Sequence, residues 1–345
     1  QDLEDLIADD NADIKTLKGW RYELFGKRAL EFKNGKIAII MNNNILKGGV
    51  IAVLLLAAAS IGLTTAQQRP TLTAEQLERL TIRAVPGKEG LYLMPGFDGS
   101  LSGGNIAILV TNEGVIIVDN KYSYSYEDIT RQVGSVTSQP IRYVLNTHHH
   151  FDHAGSNASF MPDAQVIGHE NVRVNMLRNR GPSASPDGAP RLTYSDKTSV
   201  HLGGAEVEAY HLGCGHTNGD SAILFPELRT IHTGDLFIWG DRLDGSTMAP
   251  FIDYDNGGCA RDWVATLDQV LALDFDTVIP GHGPLLRKSE IRIFRDKFEQ
   301  MLARIRELMD SGVSRDDIAA ELDISDLNWP LAPDGVQAIY DELSQ

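Results

Sequence analysis

Between about residues 88 and 286, short apolar runs repeatedly stop at a glycine or a polar side chain. Val115-Ile116-Ile117-Val118 stops at Asp119, and Tyr143-Val144-Leu145-Asn146 at a histidine-rich loop. Val207 to Leu212 runs into Gly213-Cys214-Gly215-His216, and Thr230-Ile231-His232-Thr233 into Gly234-Asp235. Thr277-Val278-Ile279-Pro280 runs into Gly281-His282-Gly283, and Ala222 to Phe225 is a further run of the same kind. Their length and β-branched content predict buried strands. Helices are predicted over 126–136, 169–179 and 260–273, so the class is α/β, with two β-rich halves at 88–200 and 201–286. Beyond His282 the period changes. From Ser289 to Met309, Ile291, Phe294, Phe298, Met301, Leu302, Ile305 and Leu308 form one helical stripe. Ser314 to Ile318 reads as a capped start of another helix. The C-terminal segment 287–345 is expected to pack its helices on the body, with a homodimer face as the alternative. Residues 67–87 read as a linker or leader strand, and Gly181 to Pro190 as a proline- and glycine-rich flap.

The front of the chain follows another pattern. Met41-Asn42-Asn43-Asn44-Ile45-Leu46-Lys47 precedes an apolar run from Val50 to Leu63, and Thr64-Thr65-Ala66 follows it. A short basic region, an apolar core and a small residue describe a secretory signal peptide over 41–66. The core is shorter than the roughly 20 residues of a membrane span, so cleavage after Ala66 is expected rather than stable membrane insertion. The predicted location is periplasmic or secreted. Gly19 to Leu30 and Lys33 to Ile39 resemble the C-terminal tail of ribonuclease D-type exonucleases, without their carboxylate motif. Residues 1–40 are therefore expected to be a non-native upstream extension, with Met41 the natural start.

Charge narrows the partners. The chain carries a net charge of −16 over 345 residues, and residues 1–66 contribute eight acidic and eight basic side chains. The body after Ala66 thus holds the whole excess, which argues against nucleic-acid binding and a basic membrane surface. A small-molecule substrate is expected instead. Cys214 and Cys259 are the two cysteines. An oxidising compartment permits their bridging, and a buried thiol at Cys214 is the other reading.

The chemistry concentrates in Thr147-His148-His149-His150-Phe151-Asp152-His153. Imidazoles and carboxylates gathered on loops at strand ends are metal-ligand chemistry, and zinc accepts both. His148 and His150, on alternate residues, can grip one ion while Asp152 and His153 turn toward a second. His149 is expected to point away. His169, His201, His211 and His232 read as ordinary surface or packed histidines.

With His216, Asp235 and His282 following in order, residues 88–286 resemble the metallo-β-lactamase-fold hydrolases. That resemblance implies a four-layer αββα sandwich and two metal ions. It assigns His148, His150 and His216 to the first ion, Asp152, His153 and His282 to the second, and Asp235 to both. Asp119 matches the strand-end aspartate that supports the ligand loop. The cofactor implied is a pair of zinc ions, with iron or manganese as alternatives. The reaction implied is hydrolysis of a small ester, lactone, thioester or lactam by a metal-bridging hydroxide, with Asp152 as the catalytic carboxylate that orients it. Asp235, where thiolate-ligated β-lactamases carry cysteine, places the chain nearer the glyoxalase- and lactonase-like branch. Arg242 is the nearest cation after Asp235. Trp239, Met248, Phe251 and Tyr254 are candidates for an apolar wall. Asn218 departs from the aspartate common in similar sequences. The alternatives are a β-lactamase, a mononuclear iron enzyme of the persulfide-dioxygenase kind, and a metal-binding protein without turnover.

Overall fold

Strand positions buried on both faces, as in Val115–Val118, require cover from two sides, and the architecture supplies it. The computed structural model describes strands β1 (Arg21–Leu24), β2 (Arg28–Lys33) and β3 (Lys36–Met41) and residues 71–96, 102–179, 185–242 and 245–345. β1–β3 form an antiparallel sheet of their own within residues 1–64. Most of segment 1–40 and nearly all of segment 41–66 lie outside the described residues.

The body holds two sheets, contiguous in sequence. The first has the order β10-β9-β8-β7-β6-β5-β4. Its strands are β4 (Arg83–Ala84), β5 (Leu91–Met94), β6 (Ile106–Val110), β7 (Val115–Val118), β8 (Ile141–Leu145), β9 (Gln165–His169) and β10 (Leu192–Tyr194). β7 to β10 run parallel and β4 to β7 antiparallel. The second sheet runs in chain order through β11 (Lys197–Leu202), β12 (Ala205–Tyr210), β13 (Ala222–Phe225), β14 (Thr230–His232), β15 (Thr277–Ile279) and β16 (Leu286–Arg287), with only β14 and β15 parallel.

Side-chain alternation along the strands then builds three apolar layers. Ile116, Val118 and Leu145 meet Val207, Ala209, Ile223 and Phe225 between the sheets. Val115 and Ile117 face outward onto Ile129 and Val133 of helix Tyr126–Val136. Ala222 and Leu224 face outward onto Trp263 and Leu267 of helix Trp263–Ala272. This is the αββα sandwich. Helix Lys288–Asp310 lays its stripe of Ile291, Phe294, Phe298, Met301, Leu302 and Ile305 into that last layer, where the rings of Trp263 and Phe298 lie 5.0 Å apart.

Two segments differ from expectation. Residues 67–87, read as linker or leader strand, hold strand β4 and also helix Ala74–Arg79, opened by a capping box between Thr73 and Gln76. The helix expected from Ser314 begins only at Ile318, because residues 315–317 form turns and Ser314 Oγ donates to Asp317 Oδ2 (2.6 Å).

His169 is packed, as expected, and has a structural task. It caps helix Glu170–Arg178 by accepting the Asn171 amide at Nδ1 (3.2 Å), so Nε2 carries the proton to Ser195 O (2.8 Å). Its ring stacks on His211 at 3.9 Å. Burial, then the neighbouring His211, push its pKa down to about 4. A depressed histidine stabilises the fold fully above its unfolded value near 6.5, and that stability is lost as pH falls through 4. Replacing it with asparagine, which keeps a cap, is expected to remove up to about 3 kcal/mol of the stability lost between pH 6.5 and 4. Denaturant midpoints of both proteins at the two pH values measure this.

Candidate metal centre

The ligand loops leave the sheets at one edge. His148 to His153 follow β8, Asp235 follows β14, His282 follows β15, and His216 lies in the connection from β12 to β13. A Cβ on Gly281 would overlap Asp235 Oδ1, so only glycine lets the His282 loop pass that close.

The structure brings all seven predicted side chains together. His148, His150 and His216 have ligand atoms within 4.8 Å of one another, and so do Asp152, His153 and His282. Asp235 lies between the two sets, with Oδ1 3.2 Å from His153 Nε2 and Oδ2 3.7 Å from His216 Nε2. His282 Nε2 is 3.3 Å from Asp152 Oδ2.

These donors fit divalent ions. His150 Nδ1 faces His216 Nε2 at 2.9 Å, and His153 Nε2 faces His282 Nε2 at 3.2 Å. His148 Nε2 is buried with no hydrogen-bond partner among the described residues. The facing lone pairs of His150 and His216, and the buried orphan nitrogen of His148, are costly arrangements that a shared cation relieves. Burial, then the other imidazoles, hold His148 well below its ordinary pKa, and burial with His150 pushes His216 down to about 4. Both are therefore neutral donors. Burial opposes a charge on His153 too, but Asp235, Asp152 and Asp119 outweigh it and raise its pKa. A cation would take the place of that proton.

Partners on the far side aim several of the rings. Asp119, in the left-handed region at φ 62°, accepts the Thr147 amide (2.8 Å) and hydroxyl (2.7 Å) and faces His153 Nδ1 (2.8 Å). The His216 Nδ1 hydrogen bonds to Phe251 O (2.7 Å). His149 turns aside, with Nε2 3.9 Å from Asp253 Oδ2. Cys214 and Cys259 form a disulfide, and the Cys259 amide donates to Gly215 O (2.9 Å), tying down the His216 turn.

The profile of the metallo-β-lactamase superfamily matches residues 99–282, more than half of the chain. The chain belongs to this superfamily. Its relatives include the 2,4-dinitroanisole O-demethylase subunit alpha of Nocardioides sp., 28% identical over 60% of this chain and 60% of that protein. The probable hydroxyacylglutathione hydrolase glo2 of Schizosaccharomyces pombe is 31% identical over 52% of this chain and 64% of its own. The chain thus spans less than two thirds of either relative. A metallo-β-lactamase from Pontibacter korlensis shares the fold, with a TM-score of 0.53 at 18% identity over 64% of this chain and 99% of its own. The partial likeness to ribonuclease D also appears: the Nitrobacter hamburgensis enzyme is 48% identical over 52 residues, 15% of this chain and 13% of that protein.

Within the superfamily framework, three supporting residues went unread in the sequence. Lys121 is buried and donates to the carbonyls of Pro95, Ser102 and Gly104, holding the hairpin over His153; burial pushes its pKa down to about 7. Asn105 Nδ2 donates to Pro280 O (2.8 Å) and Gly283 O (3.0 Å), bracketing His282. Asp253 lies 2.8 Å from His150 Nε2. Burial favours its protonated form, but that contact holds it below the usual carboxylate range. Of the candidate wall, Phe251 is 60% exposed, with its ring 5.7 Å from that of His216. Met248 is buried, and Tyr254 donates to Glu342 (2.9 Å). Asp253→Ala is expected to weaken metal binding about 10- to 100-fold, read by chelator competition, because it frees His150 to rotate.

Proposed function

We propose that the chain is an exported hydrolase that uses two zinc ions to cleave a small ester, lactone, thioester or lactam. The observation that carries this reading is the pair of three-residue donor sets that converge on Asp235. His148, His150 and His216 would hold one ion, Asp152, His153 and His282 the other, and Asp235 both. Bound zinc would supply a water acidified to near neutral pH and a stabilising charge for the oxyanion that develops.

The remaining work falls to the protein. Asp152 would orient the attacking water and carry a proton toward the leaving group. Asp119 and Asp253 keep the imidazoles aimed. Phe251 offers an exposed aromatic surface beside the donors for an apolar part of the substrate. The disulfide supports export, since such bonds persist in oxidising compartments.

The test is metal content together with turnover on a panel of lactones, thioesters, β-lactams and nitroaryl methyl ethers. About two zinc ions per chain with hydrolysis of one class is the expected result. A single iron with no hydrolysis would overturn it in favour of the oxygenase alternative.

A further inference from the structure

The loop from Phe251 to Arg261 touches two of the three donors assigned to the first ion. Phe251 O accepts from His216 Nδ1 (2.7 Å), and the Asp253 amide donates to His216 O (2.9 Å). Asp253 Oδ2 lies 2.8 Å from His150 Nε2. Both ends of the stretch 254–261 then meet at one distant carboxylate. The Tyr254 hydroxyl (2.9 Å) and the Ala260 amide (2.8 Å) donate to Glu342 Oε2, and the Arg261 amide donates to Oε1 (3.1 Å). The Arg261 guanidinium donates to the Glu342 carbonyl as well.

The place of that carboxylate is informative. Glu342 stands in the last turn of helix Pro333–Leu343, whose last turn carries no basic residue. A negative charge is unfavourable at that end of a helix, and three donors from a single loop offset the cost. Hydrogen bonds to an ionised group are roughly twice as strong as neutral ones. The helix itself is held by Val336 and Ile339, buried in the same apolar layer as Trp263 and Phe294. Arg178 also reaches the loop, but at its middle, donating to Asp255 O (2.6 Å) and Asn256 Oδ1 (3.2 Å). Glu342 closes its base, next to Asp253.

We propose that Glu342 is a positioning residue of the candidate metal centre, acting through the 253–261 loop to keep Asp253 on His150. The helix Pro333–Leu343 thereby takes part in metal binding without supplying a ligand. The role at the metal rests on the reading of His150 and His216 as ligands, while the tethering of the loop stands apart from it.

The experiment is competition for zinc with a chromophoric chelator, on the full-length chain. Glu342→Ala should bind about tenfold more weakly, the low end for residues that orient a ligand. Combined with Asp253→Ala it should add nothing, within about twofold of Asp253→Ala alone, because both act on His150. Ile339→Val, which loosens the same helix without touching the loop, should lower the denaturation midpoint and leave zinc affinity unchanged. Glu342→Gln, which keeps an acceptor oxygen, carries the same test with a loss of at least about threefold should Glu342→Ala not fold. Unchanged affinity in a folded Glu342 variant, penalties that multiply in the double variant, or an equal loss with Ile339→Val would overturn the proposal. A second arm follows hydrogen exchange in the metal-free chain. The Asp253, Asn256 and Gly258 amides, all hydrogen-bonded within this region, should exchange at least about tenfold faster in Glu342→Ala. A wild-type chain that takes up no zinc defeats the metal-centre reading, and the exchange rates still judge the tether: equal rates in variant and wild type refute it.

Discussion

Asp235→Ala is expected to lower kcat/KM by at least about 10³-fold and to leave about one ion per chain instead of two. The reason is position. Its two oxygens lie 3.2 Å from a nitrogen of one donor set and 3.7 Å from a nitrogen of the other. Removing that carboxylate therefore takes a ligand oxygen from both sets at once. Removing it also strips His153 of the strongest carboxylate that raises its pKa. Metal analysis and steady-state kinetics check both effects, and full activity with two ions retained would refute the bridging role.

The second large effect is expected at Cys214 and Cys259. The bridge closes 45 residues of sequence, and loop-closure entropy for that length corresponds to about 4 kcal/mol. Replacing both cysteines by serine should lower the denaturation free energy by up to that amount, and reductant should do the same to the wild-type chain. Because the Cys259 amide also holds Gly215 O, next to His216, metal affinity should fall with stability. A midpoint indifferent to reductant would show that the bridge adds nothing.

Local pattern carried much of this architecture. Val115–Val118 and Ala222–Phe225 announce themselves by four consecutive apolar positions, and their ends place Asp119 and the ligand loops. The six apolar residues of helix Lys288–Asp310 show its buried face directly. What remained hidden depends on partners distant in sequence. Asp253 meets His150 across 103 residues, in a loop with no period. Asn105 reaches Pro280 across 175. Lys121 looks like any surface lysine until the hairpin folds over it. The helix at Ala74–Arg79 was different: Thr73 and Gln76 carried its capping signal, but six residues are too few to show an apolar stripe.

The break between the two sheets, after Tyr194 and before Lys197, divides the candidate metal centre between two halves of the chain. The first half supplies His148, His150, Asp152 and His153, and the second supplies His216, Asp235 and His282. Each three-residue set draws two members from the first half and one from the second. Neither half owns a complete set, so each ion would act as a rivet between pieces. A chain split at residues 195–196 would then be a metal-dependent complementation system, its two fragments reporting on a free divalent cation by whether they join.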